Sequence, residues 1–167
     1  MKRAMTTPNR DIDVVPADPG NPEALALLEA SWHYMASLFA PDQRFHLDLD
    51  GLRQPHVRFF LANTAGAAAG CAALAVFGDW AEVKSMFVEE ATRGTGVAAA
   101  LLERLEAEAR ALGCRILRLE TGAKLHRARA FYTRHGFRPR GPFADYRDIP
   151  TSTFMEKSLA PEPPAPA

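Results

Sequence analysis

The chain has 167 residues, of which 47% are hydrophobic, and its 20 basic and 20 acidic side chains leave a formal net charge of zero. This length and composition are typical of one globular domain with its own core. The balanced charge argues against a general nucleic-acid-binding protein, whose affinity depends on neutralising phosphates. The opening residues lack the apolar core of a secretory signal, and no apolar stretch is long enough to span a bilayer. We therefore expect a cytoplasmic protein that binds neither nucleic acid nor a membrane.

The first part of the chain predicts one strand, two helices and then three strands. Residues 1–10 are expected to be a flexible terminus, and residues 11–159 form the single domain. Asn21 caps the first helix, Pro22 takes its first position, and Pro41 ends it. A short strand is expected at 11–15, a short helix at 47–52, and three strands at 57–62, 67–77 and 80–88. Gly70, inside the second of these three strands, predicts a bulge or a close backbone approach.

The second part alternates helices with strands, which favours an α/β sheet. Five residues recur at steps of three and four and predict a long helix that ends at Gly113: Val97, Leu101, Leu105, Ala109 and Leu112. A strand is expected at 114–121, a helix at 126–135, a loop at 138–150 and a strand at 152–157. The last residues, 160–167, are rich in Pro and Ala and are expected to be disordered.

The two cysteines, Cys71 and Cys114, lie in apolar surroundings and indicate neither a disulfide framework nor a metal cluster. We therefore expect no bound metal. Either cysteine could serve as an acyl-carrying nucleophile only with a base to form its thiolate, and neither has a histidine nearby in the sequence.

A turn with two glycines, Arg93-Gly94-Thr95-Gly96, connects the strand at 80–88 to the long helix. The first N–H groups of a helix have no partner within it, and the helix dipole adds positive charge there, so such a turn can bind a phosphate. Two known phosphate motifs do not fit. Val97-Ala98 follows where a P-loop needs Lys-Ser or Lys-Thr, and Ala99 stands at the third glycine of a dinucleotide fingerprint. A turn that serves folding alone remains open.

The turn resembles the R/Q-x-x-G-x-G/A signature of the GNAT superfamily of acyl-CoA N-acyltransferases, through Arg93, Gly96 and Ala98. The stretch ARAFYTRHGF is similar to the family's A-x-x-x-Y-x-x-x-G-F, and the last segment, 141–159, resembles the closing strands of small stand-alone bacterial members. The resemblance implies a mixed central sheet flanked by helices, in the order β-α-α-β-β-β-α-β-α-β-β. Leu125 departs from the pattern, because family members often carry Asn or Gln there to contact the cofactor.

The resemblance also implies acetyl-CoA as the cosubstrate. Its pyrophosphate is expected at the turn, on Arg93, Gly94, Thr95, Gly96, Val97 and Ala98. Main-chain groups of Phe87 and Val88 are expected to pair with the pantetheine arm. Arg129 lies in a basic segment that meets the adenosine 3′-phosphate in the family, so it is a further candidate contact.

The activity that the resemblance implies is transfer of acetyl from acetyl-CoA to a primary amine of a small molecule or peptide, directly in a ternary complex. An alkyl amine with a pKa of about 10.4 is mostly protonated at pH 7, so a base must take its proton, directly or through water. Glu82 is the candidate base and Glu120 its rival. Tyr132 is the candidate acid for the departing thiolate. A packed aromatic and an exposed strand carboxylate are the structural alternatives.

The acceptor is expected between two loops, at 39–49 and 143–148, in contact with Asp42, Phe45, Glu120 and Tyr146. A homodimer is the habit of the family. The alternative function is an acyl-CoA-binding regulatory module without efficient transferase activity. Binding of acetyl-CoA without release of CoA over a broad panel of amines would favour that alternative.

Overall fold

The computed structural model of the protein describes residues 11–160 and 166. Seven strands form one sheet in the order β1-β2-β3-β4-β5-β7-β6. The strands are β1 Ile12–Pro16, β2 Val57–Thr64, β3 Ala67–Phe77, β4 Trp80–Val88, β5 Ile116–Gly122, β6 Arg138–Arg140 and β7 Ser152–Ser158. The helices are α1 Pro22–Leu38, α2 Leu49–Leu52, α3 Val97–Ala111 and α4 His126–Arg134. The order of elements that the family resemblance implies is therefore confirmed. The predicted flexible terminus at 1–10 and most of the predicted tail lie outside the described residues.

The local signals for α1 and α3 act as the sequence predicts. The side chain of Asn21 accepts a hydrogen bond from the N–H of Glu23 at 3.0 Å, and Pro22 opens α1. Helix α3 stops at Ala111, and Gly113 follows with a φ of 83°, which a residue with a side chain rarely adopts. In the described part of the chain, no helix is long and apolar enough to cross a membrane.

One predicted loop is a strand. Arg138–Arg140 was expected to be irregular, but it pairs with β7, with Pro139 opposite Met155. Proline is tolerated because β6 is the edge strand of the sheet, where its missing N–H leaves no partner unpaired. The side chain of Arg140 also reaches Glu156 on β7, which fastens the short strand to its neighbour.

Strands β4 and β5 pair over only three residues before they separate. Their parallel ladder joins Trp80, Ala81 and Glu82 to Ile116, Leu117 and Arg118, and it does not continue beyond Glu82. The rest of β4 keeps its pairing with β3 alone. The sheet therefore has a gap between the second half of β4 and the end of β5.

A β-bulge begins the second half of β4. Ala73 pairs with Lys84 and Cys71 with Phe87, so Ala72 faces two residues, Ser85 and Met86. Ser85 has a φ of 52°, in the left-handed region. A bulge bends its strand and increases the local twist, which is consistent with β4 leaving β5 at this point.

The two faces of the sheet carry separate cores. One core lies under α3 and α4 and includes Leu101, Leu105, Leu117 and Leu119. The other lies under α1 and α2 and includes Leu28, Leu52 and Phe59. Because side chains alternate along a strand, Glu82 and Lys84 point to the α1 and α2 face, while Ala81 and Val83 join the α3 and α4 core.

Gly70 lies where β3, β4 and α3 meet. The register between β2 and β3 shifts here, because Ala62 pairs with Gly70 while Asn63 pairs with Ala68. A Cβ at Gly70 would meet the carbonyl oxygen of Phe87 at 2.9 Å and Cγ1 of Val97 at 3.0 Å. Both features that the sequence predicted, a bulge and a close approach, are therefore present.

We expect Gly70→Ala to destabilise the protein. The added methyl group meets backbone and core atoms that cannot all move away, and overpacking of this kind costs about 1–3 kcal/mol. Urea unfolding measures the effect. Gly141→Ala is the matched control, because a Cβ there meets nothing within 4 Å; equal losses in the two variants would contradict the close approach.

Candidate active site

The glycine turn presents unpaired donors at the start of α3. Gly94 and Gly96 have φ values of 80° and 98°, and Gly96 is the N-cap of α3. Among the described residues, the N–H groups of Gly94, Gly96, Val97 and Ala98 have no hydrogen-bond acceptor. A Cβ at Gly94 would meet nothing within 4 Å, so the turn is also open. Free donors at a helix N-terminus suit an anion.

The side chain of Arg93 lies against the end of β4. Its Nε donates to the carbonyl oxygen of Val88 at 3.2 Å, and its guanidinium lies 5.9 Å from the centre of the Phe87 ring. Thr95, inside the turn, donates from its hydroxyl to the carbonyl of Thr92. The positive charge of Arg93 is therefore held against the end of β4, at the residue that leads into the turn.

The two residues predicted to pair with pantetheine differ in the direction of their main chain. Phe87 is opposite Cys71, and the N–H of Glu89 donates to the carbonyl of Ala69 at 2.8 Å. Since the hydrogen-bonded pairs of an antiparallel ladder alternate, the main chain of Phe87 faces β3 and that of Val88 faces the gap. Val88 is thus the better placed of the two.

Tyr132 borders the gap on the α3 and α4 face. Tyr132 is 8% exposed, and its hydroxyl donates to Sδ of Met86, one of the two bulge residues, at 3.5 Å. The rings of Phe131 and Phe137 pack against it edge to face. Burial raises the pKa of Tyr132, so the phenol keeps its proton at neutral pH. A protonated donor therefore lies beside β4 where β4 has left β5.

On the opposite face, Glu82 belongs to a network with Lys84, Tyr146 and Phe45, which we call the Lys84 network. Oε1 of Glu82 accepts a hydrogen bond from the Tyr146 hydroxyl at 2.5 Å and lies 3.2 Å from Nζ of Lys84. Nζ of Lys84 also donates to the Tyr146 hydroxyl and to the carbonyl of Phe45, both at 2.8 Å. The network ties the loop after α1 and the loop before β7 to β4.

Glu120 lies near this network on β5. It follows Arg118, the last β5 residue paired with β4, by two positions, so both point to the α1 and α2 face. Burial raises the pKa of Glu120 to about 6; the nearby Ser152 and the charge of Lys84 oppose the rise, and the charge of Glu82 adds to it. The structure thus brings together Glu82, Glu120, Phe45 and Tyr146.

Two residues that were predicted to contact a substrate, Asp42 and Arg129, contact neither the glycine turn nor the Lys84 network. Asp42 lies exposed in a short 3-10 turn, and no described contact joins it to the Lys84 network. Nη1 of Arg129 donates to the carbonyl of Ala123 at 3.2 Å, and the residue borders a cavity of about 300 Å³ beside β6 and β7. No described contact joins Arg129 to the glycine turn, so its cofactor role stays a prediction.

The two cysteines are poor nucleophiles in this fold. Cys71 has no exposed surface, and burial raises the pKa of its thiol to about 12. Burial also raises the pKa of Cys114. Because the thiolate is the reactive form, an acyl-cysteine route has no support. Within residues 11–160, no group of three metal-ligating side chains could hold a metal ion.

Sequence reasoning missed Lys84 and Ser85. Lys84 follows Glu82 by two positions on a strand, and that spacing alone would have placed the two side chains on one face. Ser85 gave no such signal, because its left-handed φ depends on the extra residue in β4 rather than on the residue type.

Comparison with known proteins gives one consistent result. The model of the acetyltransferase (GNAT) family matches residues 23–137. The chain therefore belongs to the GNAT family of N-acetyltransferases, as the motifs predicted.

Relatives and solved structures agree with this assignment. A protein of Azospirillum brasilense named IAA acetyltransferase is 38% identical over 151 residues, which are 89% of this chain and 99% of the relative. The N-acetyltransferase YsnE of Bacillus subtilis is 35% identical, over 82% of this chain and 93% of its own. The crystal structure of a Klebsiella pneumoniae protein described as an acyl-CoA N-acyltransferase has a TM-score of 0.73 at 33% identity, over 89% of this chain and 98% of its own.

A solved complex with coenzyme A shares the fold. The N-acetyltransferase PaiA of Thermoplasma acidophilum superposes with a TM-score of 0.68 at 15% identity, over 88% of this chain and 98% of its own. At that identity the likeness shows the fold alone.

We expect Glu120→Gln to stabilise the protein at about pH 8, and the gain to shrink toward pH 5. The pKa of Glu120 is about 6 in the folded protein, above its ordinary value of 4.5. The native state thus holds this proton more tightly than the unfolded chain, so stability is lost as the pH rises through 6. A neutral amide avoids a penalty of about 1–2 kcal/mol.

Urea unfolding at the two pH values measures this gain. Glu103→Gln, at an exposed position on α3, is the control and should leave stability unchanged at both. A gain from Glu120→Gln that was the same at both pH values would contradict a raised pKa.

Proposed function

We propose that the protein transfers an acetyl group from acetyl-CoA to a primary amine of a small molecule or peptide, directly and within a ternary complex. The observation that carries this proposal is the gap between β4 and β5. The glycine turn lies just past the end of β4, Tyr132 borders the gap on one face, and Glu82 and Glu120 lie on the other. Family membership supports the transferase class.

The donors at the turn fit the diphosphate of acetyl-CoA. The N–H groups of Gly94, Gly96, Val97 and Ala98, at the start of α3, have no acceptor among the described residues, and Arg93 directly precedes them in the chain. Backbone donors and a helix dipole bind phosphate without any base or metal. The main chain of Val88, which faces the gap, is the candidate partner for the pantetheine amides, and bound acetyl-CoA would supply the activated acyl group.

The reaction needs two proton transfers, one from the amine and one to the departing sulfur, and a different face of the sheet supplies the group for each. At pH 7 roughly 0.1% of an alkyl amine is neutral, a handicap of about 4–5 kcal/mol. A carboxylate on the α1 and α2 face, Glu82 or Glu120, takes the proton of the amine. Tyr132, protonated on the other face, donates to the departing sulfur. General acid–base catalysis of this kind contributes about 10²–10⁴ in rate.

Gly96→Glu should weaken the binding of acetyl-CoA severely, by at least 100-fold in Kd. The variant puts a side chain and a negative charge beside the free N–H groups, at a φ of 98° that favours glycine. Isothermal titration calorimetry measures the affinity. Gly78→Glu is the matched control, because Gly78 has a φ of 71° with open space around it and lies in the turn between β3 and β4. An unchanged affinity for Gly96→Glu would refute the phosphate turn.

Tyr132→Phe should lower kcat at least tenfold while the affinity for acetyl-CoA stays within threefold. The ring and its packing are kept, and only the donor to the sulfur is lost. Stopped assays of CoA release give kcat, and calorimetry gives the affinity. An equal kcat would remove Tyr132 from the mechanism.

The overall test is a screen for CoA release with acetyl-CoA and a panel of amines: tryptamine, spermidine, an aminoglycoside and a peptide with a free N-terminus. Release with any of them, together with a mass increase of one acetyl group on the amine, supports the proposal. Tight binding of acetyl-CoA with no release over the panel would favour the regulatory binding module instead.

A further inference from the structure

We propose that Glu120, rather than Glu82, takes the proton from the acceptor amine, and that Glu82, Lys84 and Tyr146 are positioning residues that hold and tune it. The inference rests on the acetyl transfer proposed above. The two carboxylates lie on the same face of the sheet. They differ in the partners that each already has, and this difference decides which of them can take the proton.

Glu82 is already engaged. One of its oxygens accepts from the Tyr146 hydroxyl and lies 3.2 Å from the ammonium of Lys84. The residue is only 5% exposed. A proton placed on this carboxylate would cancel the charge that balances Lys84 in a buried site, and leaving a buried charge without its counter-charge is costly. Lys84 also occupies the position next to Glu82 that an incoming ammonium would need.

Glu120 has no such partner. Among the described residues, Glu120 forms no ion pair with a basic side chain. At its position β5 no longer pairs with β4. It lies two residues beyond the last β4–β5 pair, at the edge of the gap, on the face away from Tyr132. A carboxylate at this position can receive a proton from an amine in the gap without breaking an existing ion pair.

The surroundings of Glu120 favour a base that works near neutral pH. From β4 it faces Glu82, which raises its pKa, and Lys84, which lowers it; burial has the largest effect, and the pKa is about 6. From β7 it meets Ser152, and from the loop before β7 the hydroxyl of Tyr146. Arg118 and Arg140 are already paired with Glu156. Arg44 and His46 belong to the loop after α1, where the charges of Arg44 and Lys84 both act on His46. A base is most effective when its pKa lies near the working pH.

The proton of the ammonium moves to the carboxylate of Glu120, and the freed nitrogen lone pair forms the N–C bond to the acetyl carbonyl. The C–S bond breaks, its electron pair stays on sulfur, and the sulfur takes the proton of Tyr132. The nitrogen, positively charged once it has bonded to the carbonyl carbon, gives its second proton to the Tyr132 phenolate, directly or through water. Glu120 releases its proton to solvent, so the enzyme is restored and the products are the amide, CoA and one proton.

The test is the pH dependence of kcat/KM between about pH 5 and 9, with the panel amine that the wild type acetylates fastest. A base that deprotonates the bound ammonium gives the wild type a plateau above about pH 6. Glu120→Gln should lower kcat/KM at least 100-fold at pH 7 and lose the plateau, because only amine that is already neutral can react. Its kcat/KM should keep rising toward the pKa of the free amine.

Glu82→Gln is the matched variant, with the same chemical change on the neighbouring strand. It should keep a plateau, with a midpoint moved to lower pH, because removing the negative charge of Glu82 lowers the pKa of Glu120. Glu103→Gln on α3 controls for the substitution itself. A plateau kept in Glu120→Gln but lost in Glu82→Gln would overturn the assignment while leaving the transferase function intact.

A second readout needs no acceptor. In wild-type protein labelled with ¹³C at the glutamate carboxyls, and assigned with the two Gln variants, Glu120 should titrate near pH 6 and move down in Glu82→Gln. A Glu120 that titrates below pH 5 would overturn the proposal. If wild-type protein releases no CoA with any amine of the panel, the proposed function fails first, and the base assignment fails with it.

Discussion

The site depends on the limited pairing between β4 and β5. A continuous parallel ladder would close the sheet and separate its two faces completely. Here the ladder ends at Glu82, and the bulge at Ser85 and Met86 directs the rest of β4 away from β5. Groups that belong to different faces, such as Tyr132 and Glu120, therefore border one opening. Backbone pairing, rather than any single side chain, creates the place where a reaction can occur.

Two contacts shape the edges of this opening: the close packing of α3 and β4 on β3 at Gly70, and the pairing of the buried ammonium of Lys84. Gly70 allows the end of β4 and the start of α3 to lie against β3, which sets the glycine turn next to the gap. On the other face, the ammonium of Lys84 has three partners from three segments. Removing one partner from a buried ion pair leaves an uncompensated charge and is costly. The network therefore fixes the loop that carries Phe45 and the loop that carries Tyr146.

Much of the fold could be predicted from the sequence, because its signals are local. Asn21 and Pro22 set the start of α1, and Gly113 marks the end of α3, through side-chain and backbone preferences that need no tertiary contact. The limits of β3 and β4 were predicted in full. Strand β6 was missed because three residues around Pro139 carry no strand pattern, and their pairing depends on the neighbouring β7.

The candidate site could be predicted only in part. The glycine turn and Tyr132 came from motifs, and the structure places the turn just past β4 and Tyr132 against Met86 near the end of that strand. The Lys84 network depends on Tyr146, which lies 64 residues from Glu82 in the chain, and no sequence spacing reports such a contact. The direction of the Val88 main chain likewise follows from the register with β3, which is a property of the folded sheet.

The opening of the sheet toward both of its sides has a consequence for kinetic order. A thioester that enters from the α3 and α4 side and an amine that enters from the α1 and α2 side do not share a route. With acetyl-CoA and the amine bound as proposed, neither substrate has to pass the other, and the amide product can leave while CoA is still bound. The proposed arrangement therefore imposes no compulsory order of arrival or departure on the two substrates.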